Sequence, residues 1–150
     1  MRQNRLAHLR RNVSAIGLGT WQLGADWGSV SEDDALGVLA ASADHGVTLF
    51  DTADVYGDGR SESLIGRFLA GRSGHGITAA TKMGRRLDQV PQNYTPENFR
   101  GWTERSRRNL GVDTLDLVQL HCPPSAVIED DATYDALDAL MADGAIAAYG

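Results

Sequence analysis

The sequence predicts an α/β fold, a partial (β/α)8 TIM barrel that opens with a short hairpin, and two observations lead to it. Short, nearly continuous apolar runs suit strands buried on both faces of a parallel sheet, and they fall at residues 13–18, 47–50, 77–81, 115–120 and 146–149. Amphipathic stretches with helix start and stop signals lie between these runs, so strand and helix alternate along the chain.

Four helices are predicted from their caps and from the spacing of their apolar residues. Ser31 supplies a capping hydroxyl for the first helix, and Ser61 opens the second. Thr95 and Pro96 supply the cap and the first helical position of the third helix, since proline is well accommodated there. The fourth helix ends at Gly144.

Alternating strands and helices fit either an open doubly wound sheet or a closed barrel, because both join parallel strands by right-handed crossovers. A barrel needs about 250 residues, whereas this chain has 150. The chain supplies a hairpin whose turn is predicted at residues 10–12, then four strand–helix units and a fifth strand next to Gly150. We therefore expect residues 1–150 to be the N-terminal half of a single barrel domain, truncated after its fifth strand.

The composition excludes several classes of protein. The chain has 14 Lys and Arg against 20 Asp and Glu, a formal net charge of −6, which argues against a nucleic-acid partner. No apolar run approaches the roughly 20 residues that cross a bilayer, and the basic start lacks the apolar segment of a secretory signal. The one cysteine, Cys122, suits a reducing cytosol and is expected to be a buried thiol. We expect a soluble, cytoplasmic protein without a membrane partner.

Ionisable side chains follow the predicted strands at the point where each strand ends. Asp51 closes the second strand, with Tyr56 in the loop behind it, Lys82 closes the third strand, and His121 closes the fourth. In a barrel, side chains at the carboxyl ends of the strands face one shared mouth, where catalysis usually takes place. The sequence therefore predicts that these four residues meet in one catalytic site.

Lys82 is the most informative of the four, because it is the only lysine among 14 cationic residues. A lysine ammonium is compact and gives up its proton more readily than a guanidinium does. An ammonium next to a phenol favours the phenolate, so Tyr56 beside Lys82 would serve as a general acid near neutral pH. Asp51 would pair with Lys82 and hold it in place.

Each residue also has a plainer interpretation. Asp51 could be a turn or cap residue, Tyr56 a loop aromatic, His121 a half-buried imidazole and Lys82 a surface cation. The combination of all four is far more specific than any one of them.

Other motifs are weaker. The run at residues 17–22 begins like a dinucleotide-binding fingerprint, but Gln22 stands where the third glycine belongs, so a Rossmann fold is rejected. No pair of histidines or cysteines has the spacing of a metal site, so none is predicted.

Taken together, these motifs resemble the aldo-keto reductase family. The sequence Asp-Thr-Ala-Asp-Val-Tyr-Gly at residues 51–57 carries the most specific part of the resemblance. Matching segments run through nearly the whole chain in the family's order, at residues 16–21, 50–57, 61–66, 80–82, 115–121 and 146–150.

The resemblance implies a barrel that reduces aldehydes and ketones with NADPH, using a catalytic tetrad. It implies that Tyr56 protonates the carbonyl oxygen while C4 of the nicotinamide delivers hydride. Lys82 and Asp51 would tune the tyrosine, and His121 would orient or polarise the carbonyl of a small-molecule substrate.

The resemblance also assigns a cofactor surface. Thr20, Trp21 and Asp51 match positions near the nicotinamide, and Trp21 would line the substrate pocket as well. The choice of NADPH over NADH comes from the family alone. The family holds most of its cofactor with later strands and loops, so we expect little or no activity from residues 1–150 by themselves.

Two other functions stay open. Relatives of this fold include channel subunits that carry a nucleotide with little turnover, so a regulatory binding protein is the alternative to an enzyme. A half-barrel could also pair with itself through the open edges of its first and fifth strands.

Overall fold

The computed structural model describes residues 1–25, 28–72 and 76–150. Strands and helices alternate after an N-terminal hairpin, as predicted. Short 3-10 turns lie at Trp21–Gly24 and Pro91–Asn93. The other elements are β1 (Gln3–Leu6), β2 (Arg11–Ser14), β3 (Leu18–Gly19), α1 (Glu32–Asp44), β4 (Leu49–Asp51), α2 (Arg60–Ala70), β5 (Thr78–Met83), α3 (Pro96–Leu110), β6 (Leu117–Leu120), α4 (Ser125–Ile128) and α5 (Asp131–Ala142).

A four-stranded parallel sheet organises the molecule, with its strands in the chain order β3-β4-β5-β6. Residues 145–150 extend this sheet alongside β6, where the Val118 amide donates to the Ala148 carbonyl (3.0 Å) and the Gly150 amide donates to the Val118 carbonyl (2.9 Å). The predicted fifth strand is therefore present as an extended segment. Parallel strands in sequential order, with a helix after each, are the arrangement of a (β/α)8 barrel.

The hairpin is shifted from its predicted place. Its turn lies at residues 7–10, before the predicted 10–12, because the Arg10 amide donates to the Ala7 carbonyl (3.2 Å) and Arg10 takes a left-handed conformation with φ 50°. The predicted strand at residues 13–18 is also split, since the Ser14 hydroxyl donates to the Ile16 carbonyl (2.7 Å) and bends the chain. Ser14 and Thr48 exchange two hydrogen bonds, which fasten the hairpin to the start of β4.

The helices α1 and α3 begin at the residues that their caps indicate, whereas α2 begins at Arg60 with Gly59 at its N-cap, and the Ser61 hydroxyl donates to Thr20 instead of capping the helix. The Ser31 hydroxyl accepts the Asp34 amide (3.1 Å), and the Thr95 hydroxyl accepts the Asn98 amide (3.2 Å). The short helix α4 was not predicted, because its four residues are too few to produce a periodic apolar pattern. None of the described helices is both long and apolar enough to cross a membrane.

Alternate side chains of the strands face the helical layer or the interior. Phe50 of β4 packs against Phe68 of α2 with 6.0 Å between ring centres. In β5, the Thr81 hydroxyl donates to Glu62 of α2 (2.5 Å), so Thr81 also faces the helices. Lys82, the next residue along, therefore faces the interior. The burial of the apolar core against the sheet fixes which strand residues reach the mouth.

Candidate active site

The three strand-end residues predicted from the sequence come from neighbouring strands. Asp51 is the last residue of β4, Lys82 is the next-to-last residue of β5, and His121 follows β6 directly. The parallel register pairs Asp51 with Ala80 and Lys82 with Gln119. The His121 amide donates to the Met83 carbonyl (2.8 Å), which fixes its backbone at the end of β5.

Lys82 and Asp51 form a close ion pair. The Lys82 ammonium donates to Asp51 Oδ1 (2.5 Å) and to the Thr52 carbonyl (2.9 Å). The Lys82 side chain is 16% exposed and the Asp51 side chain 42% exposed, so the pair sits at the boundary between the interior and the mouth. Two acceptors hold the ammonium in one position.

Tyr56 completes the group. Its ring centre lies 5.5 Å from the Lys82 nitrogen and 5.9 Å from the centre of the His121 ring, which meets it edge-on at 86°. The structure thus brings the four predicted residues together, with Lys82 and His121 beside the Tyr56 ring and Asp51 bound to Lys82.

His121 is neutral near physiological pH. Burial is the main reason that its pKa falls from 6.5 to about 4, and the charges of Arg85 and Lys82 lower it further against the opposing charge of Asp51. The residue is buried, and within the described chain its Nδ1 has no hydrogen-bond partner. A neutral imidazole here can orient an oxygen without adding a positive charge.

The predicted cofactor residues Thr20, Trp21 and Asp51 lie close to the same group. Trp21 is 39% exposed, and the centre of its ring lies 6.3 Å from the centre of the Tyr56 ring. Thr20 is fully buried, and its hydroxyl donates to the Asp51 carbonyl (2.8 Å) and accepts from Ser61 (2.8 Å). The Thr20 side chain therefore holds the end of β4, while Trp21 and Asp51 are partly exposed.

A backbone contact positions Trp21 against the tyrosine loop. Gly57 has φ 57°, and a Cβ built on it would lie 2.2 Å from the Gly24 carbonyl oxygen and 2.7 Å from the Gly24 Cα. Only glycine allows the loop after Tyr56 to approach the turn Trp21–Gly24 so closely.

An open cleft of about 290 Å³ lies at this point, and its lining residues are Trp21, Val55, Tyr56, Arg85 and His121. Sequence reasoning did not single out Arg85. The sequence did contain a signal for Arg85. The residue follows Lys82 by three positions and so falls in the loop after a strand that carries a predicted site residue.

Behind the cleft lies a buried acidic pair that the sequence analysis also missed. Glu62 is fully buried, and its second carboxylate oxygen accepts from Asn109 (2.8 Å). Asp54 is fully buried as well, and both its oxygens are without a hydrogen-bond partner in the described residues. Burial, aided by the Glu62 charge and opposed by Arg86 and Arg105, raises the Asp54 pKa from 3.8 to about 7.

The prediction that Cys122 is a buried thiol was wrong. Cys122 is exposed, because the chain turns outward after His121 with a left-handed conformation at Cys122, φ 52°. Among the described residues, no group of three or more His, Cys, Asp and Glu side chains is arranged to hold a metal ion.

This arrangement can move a proton and stabilise charge on an oxygen. The group consists of a phenol, an ammonium, a carboxylate and a neutral imidazole near the carboxyl ends of parallel strands. Side chains of these types can carry out acid–base chemistry, and barrel enzymes have their active sites at this end of the sheet. None of these side chains can donate a hydride, so a reduction at this site requires a bound cofactor.

Comparison with known proteins identifies the family. The profile of the Aldo/keto reductase family matches residues 15–150, and the chain belongs to that family. It is 32% identical to the uncharacterized oxidoreductase YqkF of Bacillus subtilis over 156 residues, an alignment that covers 100% of this chain and 48% of that protein.

Solved structures agree with this assignment. The glycerol dehydrogenase AKR11B4 from Gluconobacter oxydans superposes with a TM-score of 0.84 at 34% identity, covering 99% of this chain and 47% of that one. An aldo-keto reductase from Klebsiella pneumoniae in complex with NADPH gives a TM-score of 0.80 at 28% identity, covering 100% of this chain and 49% of that one. The chain thus spans about half the length of the relatives it matches, and its fold corresponds to about half of their barrels.

Proposed function

We propose that this chain carries the acid–base site of an NADPH-dependent reductase of aldehydes and ketones. The observation that supports the proposal best is the meeting of Lys82, Asp51 and His121 around Tyr56. Membership of the aldo/keto reductase family supports the reaction class.

In this proposal Tyr56 is the proton donor to the carbonyl oxygen. The positive charge of Lys82, 5.5 Å from the Tyr56 ring centre, stabilises the phenolate that remains after the transfer. Asp51 keeps the ammonium in place through the 2.5 Å contact. His121, neutral because of its lowered pKa, orients the carbonyl oxygen toward the phenol.

Bound NADPH would supply the hydride, from C4 of its nicotinamide, to the carbonyl carbon. The carbonyl carbon would gain that hydride and the carbonyl oxygen would gain the proton of Tyr56, with NADP⁺ as the second product, and solvent would return a proton to Tyr56. The Klebsiella relative in complex with NADPH supports this choice of cofactor.

The residues proposed to face the nicotinamide are Trp21 and Asp51, with Thr20 behind them. Trp21 offers an exposed aromatic face beside Tyr56, and Asp51 is partly exposed at the mouth. Thr20 acts through the backbone, because its hydroxyl holds the Asp51 carbonyl.

We further propose that residues 1–150 form the N-terminal half of one barrel domain and need a second half for turnover. Hydride transfer requires the reacting carbons to be held about 3–3.5 Å apart. The relatives are about twice as long as this chain, which supports a site shared between two halves. We propose a cytoplasmic location, supported by the single, exposed Cys122.

The proposal is tested by comparing the 150-residue chain with a fusion that adds the second half of the Bacillus subtilis relative after Gly150. We expect the fusion, and not the chain alone, to oxidise NADPH in the presence of butanal. Tyr56→Phe should lower kcat/KM by about 10²- to 10⁴-fold, the usual contribution of general acid catalysis. Tyr134→Phe is the matched control, because Tyr134 lies on α5 and is hydrogen-bonded to the Ile128 carbonyl.

Turnover that persists in Tyr56→Phe would contradict the assigned acid. Tight NADPH binding by the fusion without reduction of any carbonyl would favour the regulatory alternative instead.

Self-association is a separate proposal. The edges of the sheet are β3 and residues 145–150, and within the described chain no further strand pairs with either. Unpaired edges attract other strands. We expect the purified 150-residue chain to elute as a dimer or larger species in size-exclusion chromatography, and a monomer would contradict this.

A further inference from the structure

The site contains a positive charge that the proposed mechanism does not use. Arg85 is exposed in the loop after β5, and it lines the cleft together with Tyr56 and His121. The reacting carbonyl would occupy this same cleft under the proposed function.

No carboxylate neutralises Arg85 in the part of the chain that the structure describes. The neighbouring Arg86 pairs with Asp58 (2.6 Å), and Arg105 shares the same carboxylate (2.9 Å). The carboxylate of the site itself, Asp51, is already held by Lys82 at 2.5 Å. The guanidinium of Arg85 makes no ion pair and no hydrogen bond with any described residue.

The charge of Arg85 acts on the catalytic group. After burial, it is the largest cause of the lowered His121 pKa, ahead of Lys82. The guanidinium is therefore electrostatically coupled to a side chain at the reacting end of the cleft, and it faces an opening large enough for a small molecule, about 290 Å³.

We propose that Arg85 is a specificity-determining residue that binds an oxyanion, a carboxylate or a phosphate, carried by the carbonyl substrate. A guanidinium matches such a group with two parallel hydrogen bonds, which fixes both distance and orientation. The substrate class is then an anionic aldehyde or ketone. This inference rests on the proposed function, since it assumes that the carbonyl is reduced in the same cleft.

The first test measures binding and does not depend on turnover. The 150-residue chain is titrated with acetate, with inorganic phosphate and with acetamide as the neutral analogue of acetate. Binding is followed by the NMR signal of the His121 ring, identified by its loss in His121→Asn. We expect acetate or phosphate to shift the His121 signal and to raise the His121 pKa, because an anion on Arg85 cancels its charge.

Two variants give this test its control. Arg85→Gln should abolish the response of the His121 signal to the anions. Arg108→Gln is the control, because it removes an exposed arginine of α3 that does not line the cleft, and the His121 signal should still respond in this variant. An equal response in Arg85→Gln and the unaltered chain, or equal binding of acetate and acetamide, would overturn the proposal.

The second test measures specificity in the fusion with the second half of the Bacillus subtilis relative. Two matched pairs of substrates are compared, 4-oxobutanoate with butanal and glyceraldehyde 3-phosphate with glyceraldehyde. Arg85→Gln should reduce the charged-to-neutral ratio of kcat/KM by about 10- to 100-fold, the value of one charge-assisted interaction. The pair that responds identifies the oxyanion as carboxylate or phosphate, and Arg85→Lys should restore part of the ratio.

The outcomes separate the two proposals. An unchanged ratio in Arg85→Gln, with neutral carbonyls still reduced, would overturn the role of Arg85 and leave the proposed function standing. Failure to reduce any of the four carbonyls would count against the proposed function, while the anion titration would still decide whether Arg85 binds an oxyanion.

Discussion

The Lys82 ammonium lies 2.5 Å from the Asp51 carboxylate and 5.5 Å from the centre of the Tyr56 ring. The Asp51 carboxylate and the Thr52 carbonyl both accept from the ammonium, so they keep its charge at this distance from the Tyr56 ring. Three separate segments of the chain are tied together by this one side chain.

We expect Lys82→Met to lower kcat/KM of the fusion protein by at least about 100-fold, because the phenolate loses its neighbouring positive charge. The stability of the 150-residue chain should fall by only about 1 kcal/mol, since Asp51 is partly exposed to water. Urea unfolding and steady-state kinetics measure the two effects. A large loss of stability with little loss of activity would show that the pair is structural.

Substitution of Gly57 should separate the tyrosine loop from the turn that carries Trp21. The Cβ of Gly57→Ala would meet the backbone of Gly24 at 2.2 Å, and the residue would keep a left-handed conformation. We expect a loss of more than about 2 kcal/mol in the free energy of unfolding. Gly101→Ala is the control, because Gly101 lies in α3 with open space around its Cβ position, and it should stabilise the helix by up to about 1 kcal/mol.

Burial of Asp54 should make the protein less stable as the pH rises. Its pKa is raised from 3.8 to about 7, so the folded state keeps a proton that the unfolded chain releases across this range. The contribution of Asp54 to the free energy of unfolding should therefore fall between about pH 4 and pH 7, by at most about 1.4 kcal/mol per pH unit for one proton. Asp54→Asn should remove this fall in urea unfolding measured across the range, and an unaltered slope would contradict the assignment.

His121 should act in the opposite direction. Because its pKa is lowered from 6.5 to about 4, the unfolded chain binds a proton that the folded state does not, and stability should rise between about pH 4 and pH 6.5. The two slopes oppose each other in the unaltered protein. We expect His121→Asn to expose the fall due to Asp54, and Asp54→Asn to expose the rise due to His121. Equal pH profiles for the two variants would refute this.

The sequence was sufficient for the order of strands and helices because each element carries its own local signal. Apolar runs marked the strands, and Ser31 and Thr95 marked helix starts that the structure confirms. The meeting of the four polar residues also followed from sequence, since strand ends share one edge in parallel sheets. Their chemical roles stay predictions.

Burial of charged groups was not predictable in the same way. Asp54 and Glu62 look like exposed loop and helix residues in the sequence. Instead Glu62 binds Thr81 and Asn109, while Arg60 donates to backbone carbonyls. These contacts depend on how α2 and α3 pack on the sheet, which no local pattern records. Among the described residues no carboxylate pairs with Arg85, and this too is a property of the assembled loops.

The alternation of side chains along β5 has a consequence for folding errors. Thr81 hydrogen-bonds Glu62 of α2 and Met83 accepts a weak hydrogen bond from Thr103 of α3, while Lys82 between them points the other way. Sliding this strand by a single residue would turn the lysine into the helical layer and bring a threonine or a methionine to the mouth. The packing of Thr81 and Met83 against the helices therefore fixes the position of Lys82, because a chain folded in the wrong register would bury an unpaired ammonium.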